Sequence, residues 1–116
     1  MPDQHPMLPK LLKSLEDNQA SDIKIIDVRQ QTTITDYMII VSGRASRHVK
    51  AIAQKVMEDM KTVGLPPMNC AGLESGDWAL VDFGDFILNI MQPETRQFYN
   101  LEDLWEEQPK KSHLPK

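Results

Sequence analysis

Residues 77–105 read DWALVDFGDFILNIMQPETRQFYNLEDLW, and the two apolar runs that flank Gly84-Asp85 decide the fold. A Gly-Asp step between such runs predicts a tight β-hairpin, because glycine takes the positive φ that primed turns need. The turn sets the register: Phe83 opposite Phe86, Val81 opposite Leu88, Ala79 opposite Ile90. Side chains alternate across a strand, so these six share one wholly apolar face, the expected core face. The other face carries Trp78, Leu80 and Asp82 opposite Met91, Asn89 and Ile87. A solvated face would hold Thr, Lys and Glu, and a buried one would lack Asp and Asn. Two readings stay open. Large apolar groups rimmed by a few polar ones suit a partner-binding surface. Alternatively, a second helical layer covers this face as well.

Beyond the hairpin come Pro93 and a short segment with Tyr99, Leu101, Leu104 and Trp105. Both tryptophans of the chain and one of its two tyrosines lie in this stretch. From Asp77 to Glu107 there are eight carboxylates and one base, Arg96, a net of −7 where the whole chain carries −4. Aromatics combined with one sign of charge point to a basic partner surface more than to a small-molecule pocket.

The rest of the composition bounds the class. At 116 residues, one domain with one core is expected, spanning the whole chain. Its core should run from about residue 8 to 106, with 107–116 a flexible tail. No apolar run approaches the ~20 residues of a membrane span, and no signal-peptide pattern opens the chain. Cys70 is the single cysteine, so no intrachain disulfide forms, which fits a reducing compartment such as the cytoplasm. Cys70 reads as a small core or strand residue rather than a nucleophile. His5, His48 and His113 share no ligand spacing, so neither metal nor cofactor is expected. Mild acidity argues against charge-driven nucleic-acid binding.

Taken in order, residues 1–6 read as loosely held. Pro9 suits a first helical turn, and Leu8, Leu11, Leu12 and Leu15 share one face of a helix running to about Asn18. Ile23 to Arg29 is a β-branched strand. Tyr37 to Val41, a continuous apolar run, predicts a strand buried on both faces, pairing antiparallel with the first. Val49, Ile52, Ala53, Val56, Met57, Met60 and Val63 keep helical spacing over roughly 18 residues, ~27 Å. Ser46 is the candidate N-cap of that helix and Gly64 its stop. Its outer charges, Arg47, His48, Lys50 and Lys55, read as a solvated face. Met68 to Ala71 is a weak strand. The sum is an α/β domain with one mixed sheet of about five strands and helices packed on it.

One enzymatic reading competes. A strand, then Ser42-Gly43, then a helix N-terminus, with carboxylates downstream, loosely echoes nucleotidyltransferases, in which helix-start amides hold phosphate and acids hold Mg²⁺. The nearby pair, Asp82 and Asp85, lies across a tight turn, and turn chemistry explains it without catalysis.

Four blocks resemble the ribosomal silencing factor family, also called Iojap-like. They are ASDIKIIDV (20–28), TDYMIIVSGRASRHVKAIA (35–53), WALVDFGDFILNIM (78–91) and RQFYNLEDLW (96–105). The last two carry a specific pattern, W-x-L-x-D-x-G-D followed by R-x-F-Y-x-L-E-x-L-W. Between those two motifs, Asn89 departs from the family, standing where it usually has His. The resemblance implies a nucleotidyltransferase-like fold without the catalytic set. It also implies binding to the large ribosomal subunit, on the protein conventionally numbered fourteen. There the factor blocks the small subunit and lowers translation under nutrient limitation. The expected contact residues are Trp78, Leu80, Asp82, Asp85, Ile87, Asn89, Met91, Tyr99 and Glu102, with little direct nucleic-acid contact. The same face could also serve a homodimer.

Overall fold

The hairpin forms in the register that its turn dictates. The computed structural model describes residues 5–104, and in it β4 (Trp78–Asp82) and β5 (Phe86–Met91) pair antiparallel. Val81 sits opposite Leu88, Ala79 opposite Ile90, and Trp78 opposite Met91. Gly84 has φ +90°, and the Phe83 N–H donates to the Phe86 carbonyl at 2.8 Å to close the turn. The Asp82 carboxylate accepts the Gly84 N–H at 2.8 Å. Asp82 is thus a turn-forming residue.

β2 (Tyr37–Ser42) runs parallel to β5, with Ile39 beside Leu88, and is buried along its whole length. β1 (Ser21–Asp27) pairs antiparallel with β2, and β3 (Asn69–Ala71) pairs antiparallel with β4. The order across the mixed five-stranded sheet is β1-β2-β5-β4-β3. Two helices, α1 (Leu8–Asp17) and α2 (Ser46–Thr62), cover one face. There Leu8, Leu11, Leu15, Val49, Ile52, Val56 and Met60 pack on the six-residue hairpin face in one core. The helix ends in a Schellman motif, with Gly64 N–H to Lys61 O and Leu65 N–H to Met60 O.

Three local expectations are corrected. Ser46 is the first helical residue rather than the N-cap, because the cap position falls on extended Ala45 without a side-chain bond. The Arg44 N–H just upstream is instead taken by His48 Nδ1 at 2.9 Å. β1 starts and ends two residues early. Asp22, at φ +50°, forms an irregularity that lets Ser21 still pair, and the Asp27 carboxylate accepts the Arg29 N–H and ends the strand. Val63 caps α2 and is exposed rather than core.

The second sheet face has its own smaller core of Ile26, Val28, Met38, Ile40 and Met91, with Trp78, Ile87 and Leu101 against it. α3 (Pro93–Tyr99) follows β5, and residues 101–104 are again helical. The expected tail at 107–116, residues 1–4 of the segment expected to be loosely held, and Trp105 lie outside the described residues; within that segment His5 is instead held, by Asp85 at 2.7 Å and against the Phe86 ring.

Candidate functional site

Trp78 opens β4, at the end of the sheet where β5 gives way to α3. Its indole N–H donates to Asn89 Oδ1 at 2.9 Å. The Asn89 amide reaches on to Met38 Sδ at 3.1 Å and the Ile39 carbonyl at 3.5 Å. Asn89 is 2% exposed, yet its polar atoms have partners, as a buried amide requires. It fixes the indole from below. The Tyr99 ring lies against Trp78, centroids 4.9 Å apart, and Phe98 meets Tyr99 edge-on at 5.0 Å. Such pairs contribute about 0.5–1.5 kcal/mol beyond the area they bury.

The result is a row of rings standing partly in water. Phe98 is 81% exposed, Tyr99 53% and Leu104 52%. Trp78, Leu80, Asp82 and Ile87 are half-buried. Sequence reasoning missed Phe98 and noted Leu104 only as part of the segment. A seven-residue helix is too short for periodicity to show which side faces out. The available signal was the Phe-Tyr pair itself, in a polar, acidic segment.

Two expected contact residues are corrected. Both Asn89 and Met91 are buried: Asn89 is bonded by the Trp78 indole, and Met91 belongs to the second core with Ile26, Val28, Met38 and Ile40, against which Leu101 packs. They support the surface without presenting side chains to it. The acids also separate. Asp85 pairs with His5, Nε2 to Oδ2 at 2.7 Å, at the hairpin tip, and its side chain stays half-exposed. Glu102 is gripped by Arg96 through two bonds, 3.2 and 2.7 Å, and is three-quarters covered. Its charge is therefore offset by Arg96 rather than left to a partner.

That grip lowers the Glu102 pKa below the ordinary value of 4.5. The Arg96 hydrogen bonds are the main cause, partial burial opposes them, and the Arg96 and Lys24 charges assist. A carboxyl whose pKa is depressed by folding stabilises the fold above its ordinary pKa and loses that contribution as pH falls through the depressed value. The Tm gap between the parent and Glu102→Gln is therefore expected to stay constant down to about pH 4.5 and to narrow below it. Thermal melts from pH 7 to pH 3 check this, and a gap that already narrows between pH 7 and 5 would contradict it.

Among the described residues, no group of three or more His, Cys, Asp or Glu side chains could hold a metal ion, and no helix is long and apolar enough to cross a membrane. Cys70 lies exposed on edge strand β3.

Sheet and surface together define an α/β domain that carries an exposed aromatic platform in an acidic segment. The chain belongs to the ribosomal silencing factor family: the family model described as "Ribosomal silencing factor during starvation" matches residues 2–116. The ribosomal silencing factor of Zymomonas mobilis is 45% identical over 100 residues, 85% of this chain and 75% of that protein. A mouse relative, the mitochondrial assembly of ribosomal large subunit protein 1, is 37% identical over 82% of this chain and 43% of its own length. A crystal structure of a Chromobacterium violaceum protein superposes with TM-score 0.82 at 36% identity, covering 84% of this chain and 82% of the other. A Bacillus halodurans crystal structure gives 0.77 at 25% identity, covering 85% and 92%. These relationships assign the chain to a family of translation regulators that act on ribosomes.

Proposed function

We propose that this protein silences ribosomes by occupancy. In the cytoplasm it binds the large subunit on the ribosomal protein conventionally numbered fourteen, and there it blocks the small subunit under nutrient limitation. The observation that carries this reading is the row of half-buried Trp78 and exposed Tyr99 and Phe98, within a segment of net charge −7. Large rigid rings anchor protein partners because they remove much area from water at little rotamer cost, and an acidic surround suits the basic surface of a ribosomal protein. No bond need be made or broken. Asp82 is spent on its own turn and Asp85 on His5, which leaves the nucleotidyltransferase reading without a converging acid pair. The name of the mouse relative, which refers to the large subunit, supports that subunit as the target.

Co-sedimentation with purified large subunits, followed by a subunit-joining assay on gradients, tests this. Block of joining is expected to track binding across variants. A variant that binds fully yet leaves joining intact would rule out occupancy. Asp85→Asn is expected to slow association at low salt and to have little effect at high salt, since the Asp85 carboxylate, though bonded to His5, stays half in water, and a surface charge steers encounter more than it holds the complex. The exposed Phe98 and Leu104 also suit self-association through the same face. A homodimer formed this way would compete with subunit binding, and concentration-dependent sedimentation would detect it.

A further inference from the structure

Arg96 is the one base among the acids of residues 77–107, and the fold spends it inside the protein. Its side chain is only 12% exposed. Two of its nitrogens hold both oxygens of Glu102, and the third, Nη1, donates to Ser42 Oγ at 2.8 Å. Ser42 is the buried last residue of β2, beside Met91 in the sheet. One guanidinium thus ties the last turn of α3, the chain beyond it and the end of the sheet to a single point. Its planar fork matches a carboxylate in a way that a lysine ammonium does not.

The segment closed by this contact contains the most exposed aromatic rings among the described residues, Phe98 and Tyr99. Between Arg96 and Glu102 the chain passes through Phe98 and Tyr99, then turns at left-handed Asn100, whose N–H returns to the Arg96 carbonyl at 2.8 Å. The opposite end of α3 is held separately. The Gln92 N–H bonds the Asp77 carbonyl, and its side chain bonds the Gly76 carbonyl, both at 3.0 Å. Tyr99 itself is half in water, and its ring contacts are Trp78 and Phe98.

We infer that Arg96, Glu102 and Ser42 form a latch that holds Tyr99 against Trp78 and so pre-arranges the aromatic surface before a partner arrives. These are positioning residues and touch no partner. The ordering cost of the aromatic segment is met on folding instead of on binding. The inference rests on the reading of this surface as the ribosome-binding face, and two readouts separate the two ideas.

The first readout needs no ribosome. In a Trp105→Phe background, Trp78 is the only tryptophan, and its near-ultraviolet circular dichroism reports how it meets Tyr99. Arg96→Gln and Glu102→Gln should each reduce that signal toward the level of Tyr99→Ala, and Arg96→Lys should fall between. Far-ultraviolet spectra should stay at the parent level. An unchanged near-ultraviolet signal in folded Arg96→Gln overturns the latch, whatever the subunit assay gives.

The second readout is affinity for purified large subunits. Arg96→Gln should weaken binding about tenfold, the effect of having to order two aromatic side chains in the complex. In a Tyr99→Ala background the same substitution should cost roughly twofold or less, because the ring it positions is gone. An equal loss in both backgrounds would mean that Arg96 acts by general stabilisation or direct contact, and would overturn the latch. If Tyr99→Ala and Trp78→Ala both bind like the parent, the proposed binding face is wrong, and the spectroscopic result alone decides the latch.

Discussion

Phe86→Ala is expected to lower folding stability by about 3–5 kcal/mol. Phe86 is fully buried at the first position of β5, directly after the turn, where it pairs with Tyr37 of β2. Its ring meets the Tyr37 ring at 6.0 Å and receives His5 edge-on at 4.8 Å. Truncation forfeits the transfer energy of the ring and leaves a cavity between sheet and helices that these neighbours fill only in part. Leu88→Ala, two residues along the same face, should cost about 2–4 kcal/mol through the same mechanism. Ile87→Ala, on the opposite face and half-buried, should cost roughly 1 kcal/mol. Domains of this size are stable by about 5–15 kcal/mol, so Phe86→Ala removes a large share of the total. Urea unfolding followed by circular dichroism checks the order through the midpoint shift at unchanged m. A larger loss for Ile87→Ala than for Phe86→Ala would contradict the hairpin register on which the core is built.

That register was legible because two independent signals agree in it. Strict alternation fixes which residues share a face, and the Gly-Asp step fixes where the strands turn. The buried strand at 37–42 and the helix at 46–62 were legible for a similar reason, since continuous and periodic apolar patterns each admit few structures. The second hairpin face was ambiguous because alternation says nothing about which distant element covers a position. Val28 and Leu101, which complete the second core around Met91, lie about 60 and 10 positions from it, and no local pattern marks them as part of that core. Neither simple reading of that face was complete. One part is sealed over Asn89 and Met91, and another leaves Trp78, Leu80 and Ile87 half-open. The early start of β1 rests on the positive φ of Asp22, a conformation that Asp tolerates but does not announce. Arg96 did carry a signal, as a lone base among acids, but its partner on β2 is 54 residues away and only the fold joins them.

Trp78→Ala is expected to weaken large-subunit binding by at least ~2 kcal/mol, roughly a 30-fold rise in Kd. The indole occupies a central place for physical reasons. Its N–H is already satisfied by Asn89, so a partner covering it need not supply an acceptor. Its ring is held on one side by Tyr99, so little rotamer freedom remains to be lost on binding. Truncation removes the anchor, releases Tyr99 and opens Asn89 to water. The fold should survive, because Trp78 is half-buried at the start of an antiparallel strand and the six-residue core face lies on the other side of the sheet. Trp78→Phe separates the parts of the effect. It keeps an aromatic surface for Tyr99 but leaves the Asn89 oxygen without its donor, so its binding loss should be smaller than that of Trp78→Ala while its stability loss remains. Binding measured by co-sedimentation, joining by gradient profile and folding by circular dichroism should therefore rank parent, Trp78→Phe, Trp78→Ala in both ribosome assays. If folded Trp78→Ala binds subunits and blocks joining as the parent does, the contact lies elsewhere, and the outer side of α2 around Arg47 and Lys50 becomes the surface to test.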